Sequence, residues 1–330
     1  MILITGGAGY IGSICALYFL KKGYKVVVFD NLSTGNDFAV KKLSKYKKFY
    51  FVKGDLLNIK DLTKLFKCFK IKTCIHLAAC SKVSESEQNP EKYYAANIYG
   101  TLNLLAVMND YNVKNIIFAS SAAVYGDNCN FNIKEDFELK PSNIYGKTKM
   151  IIEKILDNYE KTCDIKSVKL RYFNVIGADF NNLLGECHEL ESHLVPNILK
   201  SILKKEKFKI NGVNYNTKDG SCVRDFVDVG DLARANFLAL KYLENKKISN
   251  TFNICTGKEY SVFDVIKICE DIVGEKVLYE IKPARKSDCA RLIGSNKKAE
   301  KILGWNPEKQ IQESVKNAYK WEKHISLEKY

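Results

Sequence analysis

Arginine is scarce in this chain: Arg171, Arg224, Arg234, Arg285 and Arg291 are all there are in 330 residues. Proteins that read base edges or grip phosphate backbones depend on the planar guanidinium fork, so the shortage argues against a nucleic-acid partner. Long apolar runs are absent too. No stretch approaches the roughly eighteen consecutive apolar residues of a membrane-spanning helix, which argues against a membrane protein. The eleven cysteines are odd in number, and no two stand two residues apart in the usual metal or redox pairing. They read as reduced thiols. The chain opens on the strand-like run Met-Ile-Leu-Ile-Thr, without a basic start or a cleavable apolar segment, and a cytoplasmic protein is expected. Repeats and low-complexity tracts are also missing.

What is present is an ordinary globular composition, 46% hydrophobic and 27% charged, at about twice the length of a typical domain. Lysine and arginine number 52 against 38 acidic residues, a formal net charge of +14. Such a surplus attracts anions, including phosphorylated small molecules, although most of the lysines read as solvated helix faces.

The first half alternates β-branched or aromatic runs with helical patterns, the rhythm of a parallel sheet with crossover helices. Strands are expected at Ile2–Thr5, Lys25–Asp30, Phe49–Lys53, Thr73–Leu77, Asn115–Ala119 and Ser167–Tyr172. Helices are expected at Ile11–Lys22, Asp61–Phe69, Pro90–Asn112 and Tyr145–Lys161. The fold class is therefore α/β, a Rossmann-type doubly wound parallel sheet over residues 1–173. A smaller mixed α/β substrate domain follows over 174–330, with the region around 223–254 crossing back to the first domain.

Two motifs carry chemistry. Strand one runs into Thr5-Gly6-Gly7-Ala8-Gly9-Tyr10-Ile11-Gly12 and then a helix. Missing side chains at Gly6, Gly9 and Gly12 allow a tight turn, close approach of a pyrophosphate and close helix packing. Strand two ends at Asp30, whose carboxylate can accept hydrogen bonds from an adenosine ribose and repels a 2′-phosphate, so NAD is favoured over NADP. Asp55, after strand three, is placed to hold the adenine edge.

The second motif is Tyr145-Gly146-Lys147-Thr148-Lys149, which sets a phenol and an ammonium four residues apart on one helical face. A tyrosine titrates near pH 10, so it acts as a base at neutral pH only where positive charge, here Lys149 and an oxidised nicotinamide, lowers its pKa. Ser121, at the carboxyl edge of strand five, can share a substrate hydroxyl with Tyr145.

Taken with His76-Leu77-Ala78-Ala79, Ser120–Gly126, Leu170–Asn174, Val223-Arg224-Asp225 and Leu303-Gly304-Trp305, these motifs resemble those of the extended short-chain dehydrogenases/reductases. The later ones are most similar to the UDP-glucose (UDP-galactose) 4-epimerases of that family. The resemblance implies an NAD-dependent isomerase that interconverts the two UDP-hexoses through a 4-keto sugar. By it Tyr145 is the base, Lys149 also contacts the nicotinamide ribose, and Ser121 hydrogen-bonds the sugar. Cofactor contacts are implied for Gly6, Gly9, Tyr10, Ile11, Gly12, Asp30 and Asn31, for Asp55, Leu56, Leu77, Ala78 and Ala79, and for Asn97 and Tyr172. On the substrate side Phe173 flanks the sugar, while Asn174, Arg224 and Arg285 hold the UDP diphosphate, with His193 and Leu194 beside it. Asp288 would bind the uridine ribose, and Leu292 would flank the hexose C2 substituent. Its intermediate size leaves UDP-N-acetylhexosamines open as further substrates.

Asn211, at a place usually aromatic, and Ser287, at one usually glycine, depart from that pattern. Ala122 and Ala123 stand where the related dehydratases carry Asp-Glu, and alanine transfers no proton. A nucleotide-sugar reductase is the enzymatic alternative, and a non-catalytic NAD-binding sensor the alternative from another class. Cys187, His188 and His193 lack ligand spacing, so no metal is expected. The helices Pro90–Asn112 and Tyr145–Lys161 are long enough to pair across a two-fold axis, and a homodimer through such a bundle is expected.

Overall fold

The computed structural model describes residues 1–127, 132–188, 191–285 and 289–328. Its centre is a parallel sheet of seven strands. Six of them are β1 (Ile2–Thr5), β2 (Val26–Asp30), β3 (Phe49–Lys53), β4 (Thr73–His76), β5 (Asn115–Ser121) and β6 (Lys166–Tyr172). The order across the sheet is Asn250–Ile254, β6, β5, β4, β1, β2, β3, and every pairing is parallel. Strand order thus reverses between β1 and β4, the switch point at whose carboxyl edge open α/β sheets bind ligands. Helices cover both faces, which is why β1, β2 and β4 are buried along their whole length rather than alternating.

Beyond the main sheet, Asn174–Ile176 pairs with Phe226–Asp228, and Phe208–Asn211 pairs with Tyr279–Lys282. A third small sheet joins Val223–Arg224 to Tyr260–Ser261 and Arg291–Leu292. These elements pack on the helices Leu194–Lys204, Val262–Val273 and Ile311–Glu328, around a core that includes Ile198, Leu199, Val265 and Val315.

The sequence pattern over Pro90–Asn112 predicts one helix, and the structure breaks it into three. An α-helical turn at Pro90–Tyr93 is followed by a π-helical segment, Tyr94–Tyr99, and then an α-helix, Gly100–Asp110. The widened segment faces Asn97 inward, and its carbonyl accepts the Thr101 hydroxyl at 2.5 Å. A side-chain hydroxyl taking that carbonyl is a local cause for the departure from the regular ladder.

Beneath the carboxyl edge of β5 and β6 lies a buried polar network. Glu153, on the helix Ile144–Cys163, accepts from Ser120 Oγ at 2.6 Å, from Arg171 Nε at 3.0 Å and from Arg171 Nη2 at 2.7 Å. Arg171 Nη1 donates to the Tyr125 hydroxyl at 2.7 Å, and that hydroxyl donates to Asn253 Oδ1 at the same distance. Both charged side chains are at least nine-tenths buried. Removing one partner leaves the other as an uncompensated interior charge, which costs about 3–5 kcal/mol. Glu153→Ala is therefore expected to lose that much stability, read as a lowered urea midpoint with an unchanged slope. A midpoint shift below about 1 kcal/mol would show the pair to be dispensable.

Candidate functional site

The turn after β1 is built by close approach. A Cβ on Gly12 would lie 2.1 Å from Gly6 O, and Gly6 itself has φ +69° with Ala78 pressed against it. Only glycine at both places lets the helix Tyr10–Lys21 start directly on the turn. That helix has no acidic residue in its first turn and no side-chain cap, so its N-terminal amides face the cleft ready for an anion. Gly9 has nothing nearer than 3.4 Å to a built Cβ. The donor set and the clearance fit a dinucleotide pyrophosphate.

Asp30 ends β2 at the rim of the cleft. Its Oδ2 accepts from Ala8 N at 3.0 Å and its Oδ1 from Leu32 N at 2.8 Å. Burial pushes its pKa up, against the pull of those two amides. Next to it, Asn31 Nδ2 donates to Asp55 Oδ2 at 2.9 Å. Two carboxylates and an amide thus stand together where an adenosine would lie.

The candidate reacting groups come from two elements locked to one another. β5 runs two residues further than the sequence suggests, to Ser121, whose Oγ accepts from Ala123 N at 3.2 Å and caps the 3₁₀ turn Ala122–Tyr125. The helix Ile144–Cys163 is capped by Asn143, which accepts from Gly146 N at 2.8 Å, while Glu87 and Ser86 accept from Ile144 N and Tyr145 N. A Cβ on Gly146 would meet Ala123 O at 2.4 Å, so this helix begins in contact with the turn that carries Ser121.

Lys149 Nζ donates to Ala119 O at 2.7 Å and sits 4.8 Å from the Phe118 ring centroid and 5.8 Å from that of Tyr145. It is buried, and desolvation lowers its pKa to about 7. Burial raises the Tyr145 pKa, and the Ser121 hydroxyl pulls it back in part. The lowering expected of Lys149 together with an oxidised nicotinamide concerns the loaded site; among the protein's own groups burial dominates at Tyr145. His76 is a further buried titratable group, held between Thr5 Oγ1 at 2.7 Å and Thr101 Oγ1 at 2.9 Å. Burial lowers its pKa to about 3, which fits a neutral structural ring.

One cleft of about 1430 Å³ joins these parts. Gly6, Gly9, Tyr10, Ile11, Gly12, Asp30, Asn31, Asp55 and Leu56 line one end. Leu77, Ala78, Ala79, Ser121, Tyr145, Lys149, Tyr172 and Phe173 line the middle, and Asn174, His193, Leu194, Arg224, Arg285 and Leu292 the other end. Asn211 and the lysines Lys200, Lys204, Lys207 and Lys209 join that far wall, which is cationic enough to hold a diphosphate. Asp288 and Ser287 lie outside the described residues.

Asn97 departs from its expected place. It does not line the cleft: its Oδ1 accepts from Cys80 N at 2.8 Å, and its Nδ2 donates to Cys80 O and Thr148 Oγ1, both at 3.0 Å. With its amide so engaged, it positions the cleft wall after β4 against the helix of Tyr145. Sequence reasoning missed Asn236, which donates to the Tyr172 hydroxyl at 2.8 Å, and also missed the role of Asp225. The latter accepts from Thr256 N, Thr256 Oγ1 and Gly257 N at 2.7–2.8 Å, and burial raises its pKa to about 6. No local signal marks either, because both work through partners tens of residues away.

The depressed Lys149 pKa has a sign that can be checked. An ordinary lysine in the unfolded chain takes its proton near pH 10.4, whereas the folded protein resists until about pH 7, so this group's contribution to stability falls as pH drops through that window. Lys149→Met removes the penalty. Its melting temperature is expected to exceed that of the parent by a margin that widens from pH 9.5 down to pH 7.5, and a margin constant with pH would show that Lys149 is not desolvated.

Residues 2–255 match the family described as NAD dependent epimerase/dehydratase family. The UDP-glucose 4-epimerase of Halalkalibacterium halodurans is 42% identical over 324 residues, covering 98% of this chain and 95% of the relative. The crystal structure of UDP-glucose 4-epimerase from Bifidobacterium longum in complex with NAD+ and UDP superposes with a TM-score of 0.94 at 34% identity, over 98% of each chain. The UDP-Glc/GlcNAc 4-epimerase from Campylobacter jejuni does so with a TM-score of 0.84 at 37% identity, over 98% of this chain and 99% of that one. With a family match over most of its length and relatives aligned nearly end to end, this chain belongs to the NAD dependent epimerase/dehydratase family.

Proposed function

We propose that this chain is an NAD-dependent 4-epimerase that interconverts UDP-glucose and UDP-galactose. The observation that carries the reading is the continuity of the cleft, from the glycine turn through Ser121, Tyr145 and Lys149 to the wall bearing Arg224 and Arg285. NAD, when bound against the glycine turn and Asp30, supplies a hydride acceptor and then a hydride donor for sugar C4. The chain's own residues do the rest. Tyr145 takes the proton of the C4 hydroxyl and returns it, with Ser121 sharing the same hydroxyl. Lys149, held beside the phenol by Ala119 O, adds positive charge there in its protonated form. Because burial raises the Tyr145 pKa, the charge that favours its ionised form has to come from the bound dinucleotide as well as from Lys149.

Arg224, Arg285 and Asn174 line the far end of the cleft and would hold the diphosphate, so a hexose pivoting beneath it can present either face of a 4-keto carbon. Ala122 and Ala123 offer no acid or base for eliminating water, which disfavours a dehydratase. Exposed Tyr94 and Tyr99, on the π-helical segment beside the helix Ile144–Cys163, support assembly as a homodimer, which sedimentation velocity would read directly. Ten described cysteines are free thiols, in keeping with a reducing, cytoplasmic setting.

Tyr145→Phe is expected to fold, to release NAD on denaturation as the parent does, and to interconvert UDP-hexoses about a hundredfold or more slowly. Parental turnover in the folded variant would exclude Tyr145 as the proton carrier. Substrate range is read at Leu292, which packs beside Phe173 at the sugar end of the cleft. Leu292→Tyr should lower the ratio of kcat/KM for UDP-N-acetylglucosamine to that for UDP-glucose by about tenfold or more, a steric cost of roughly 1–3 kcal/mol. An unchanged ratio would show that the gate lies elsewhere.

A further inference from the structure

Four side chains with no part in the proposed hydride chemistry converge on the cleft wall beside the helix Leu194–Lys204. Glu186 and Glu191 are both about 95% buried, and His188 and His193 complete the group. One ligand atom from each lies within 4.8 Å of all the others. His188 Nδ1 is 3.1 Å from Glu186 Oε1 and 3.6 Å from Glu191 Oε1, His193 Nδ1 is 3.7 Å from Glu191 Oε1, and His193 Nδ1 also contacts Glu186 Oε1 closely. Ligands held tetrahedrally at zinc distances sit about 3.3 Å apart, so these separations are those of ligands around one small centre.

A further observation points to a cation. His188 Nδ1 is buried and has no hydrogen-bond partner of acceptable geometry among the described residues, although it faces the two carboxylates. Lys200 answers Glu191 Oε2 at 3.2 Å and lies 3.7 Å from a further buried carboxylate, Glu322.

We propose that Glu186, His188, Glu191 and His193 form a site for one divalent transition-metal ion of the zinc class. The donor set selects the class: two imidazoles with two carboxylates suit zinc and its neighbours, whereas magnesium and calcium take shells of oxygen. Lys200, on the next turns of the helix, stays outside the ligand set and orients Glu191 through its second oxygen. Bound there, the ion ties the segment that carries Glu186 to the start of the helix Leu194–Lys204. Glu186 is anchored on its other side by Trp321 Nε1, which donates to its carbonyl at 2.7 Å. The four residues lie within eight positions of the chain, at a spacing that matches no familiar ligand pattern. The site shares His193 with the substrate end of the cleft, so its test reads metal uptake and not turnover.

The test uses the intact protein, stripped with a chelator and dialysed against zinc chloride, with bound metal counted by mass spectrometry. One zinc ion per chain is expected. Cobalt in its place should give the visible bands of tetrahedral nitrogen and oxygen ligation. His188→Ala and Glu191→Gln should each weaken uptake about tenfold or more, while His324→Ala, whose ring lies outside the cluster, should not. Parental protein that binds no zinc would overturn the assignment whatever the variants do. So would a cobalt–thiolate charge-transfer band, which would place the ion on cysteine, or uptake unchanged in both cluster variants.

Discussion

The buried pair of Arg171 and Glu153 is the constraint on which the site depends. Ser120 and Arg171 belong to adjacent strands, Glu153 to the helix that crosses them, and Tyr125 to the turn beyond Ser121. Tying these together fixes the distance between the strand end that carries Ser121 and the helix that carries Tyr145 and Lys149. A fully satisfied network of this kind is rigid because each member would be costly to leave unpaired in the interior. The contact of Gly146 with Ala123 then sets how closely the two elements approach. Catalytic geometry here is inherited from a structural ion pair one layer below the cleft.

The cleft itself is organised by desolvation at its centre and by charge at its ends. Around Tyr145 and Lys149 burial favours the neutral forms of both groups, shifting the phenol up and the ammonium down. The two shifts separate groups whose ordinary values nearly coincide, leaving the ammonium the readier proton donor and the phenol the stronger base once ionised. At one end, free helix amides face the place of a pyrophosphate. At the other, Arg224, Arg285 and a row of lysines face the place of a second diphosphate. The scarcity of arginine is thus consistent with economy of use: two of the five lie on this wall and a third closes the network beneath it.

Much of this was legible in the chain. Apolar runs of four to seven residues separated by amphipathic stretches specify a parallel sheet, because buried strands and crossover helices leave those two periods in any sequence. The glycine turn, Asp30, and the spacing of Tyr145 and Lys149 are local patterns whose chemistry is set within one turn or one helix face, and the cleft contains all of them. Local pattern fails where a partner is distant. The helix expected over Pro90–Asn112 is interrupted because the Asn97 amide is engaged by Cys80 and Thr148 and the Asn97 carbonyl by Thr101.

What the sequence by itself determined is most of the elements, the cofactor turn and the candidate proton-transfer side chains, since each follows from residue type and short-range spacing. Tertiary structure alone decided how the groups are tuned and which distant ones meet. The pKa of Lys149 depends on how much water the surrounding sheet and helices exclude, and the engagement of Asn97 depends on Cys80, in the loop after β4 and seventeen residues before it. The convergence of the ligand atoms of Glu186, His188, Glu191 and His193 within 4.8 Å of one another depends on how their side chains are packed. Burial and convergence are properties of packing in three dimensions, and no spacing along the chain encodes them.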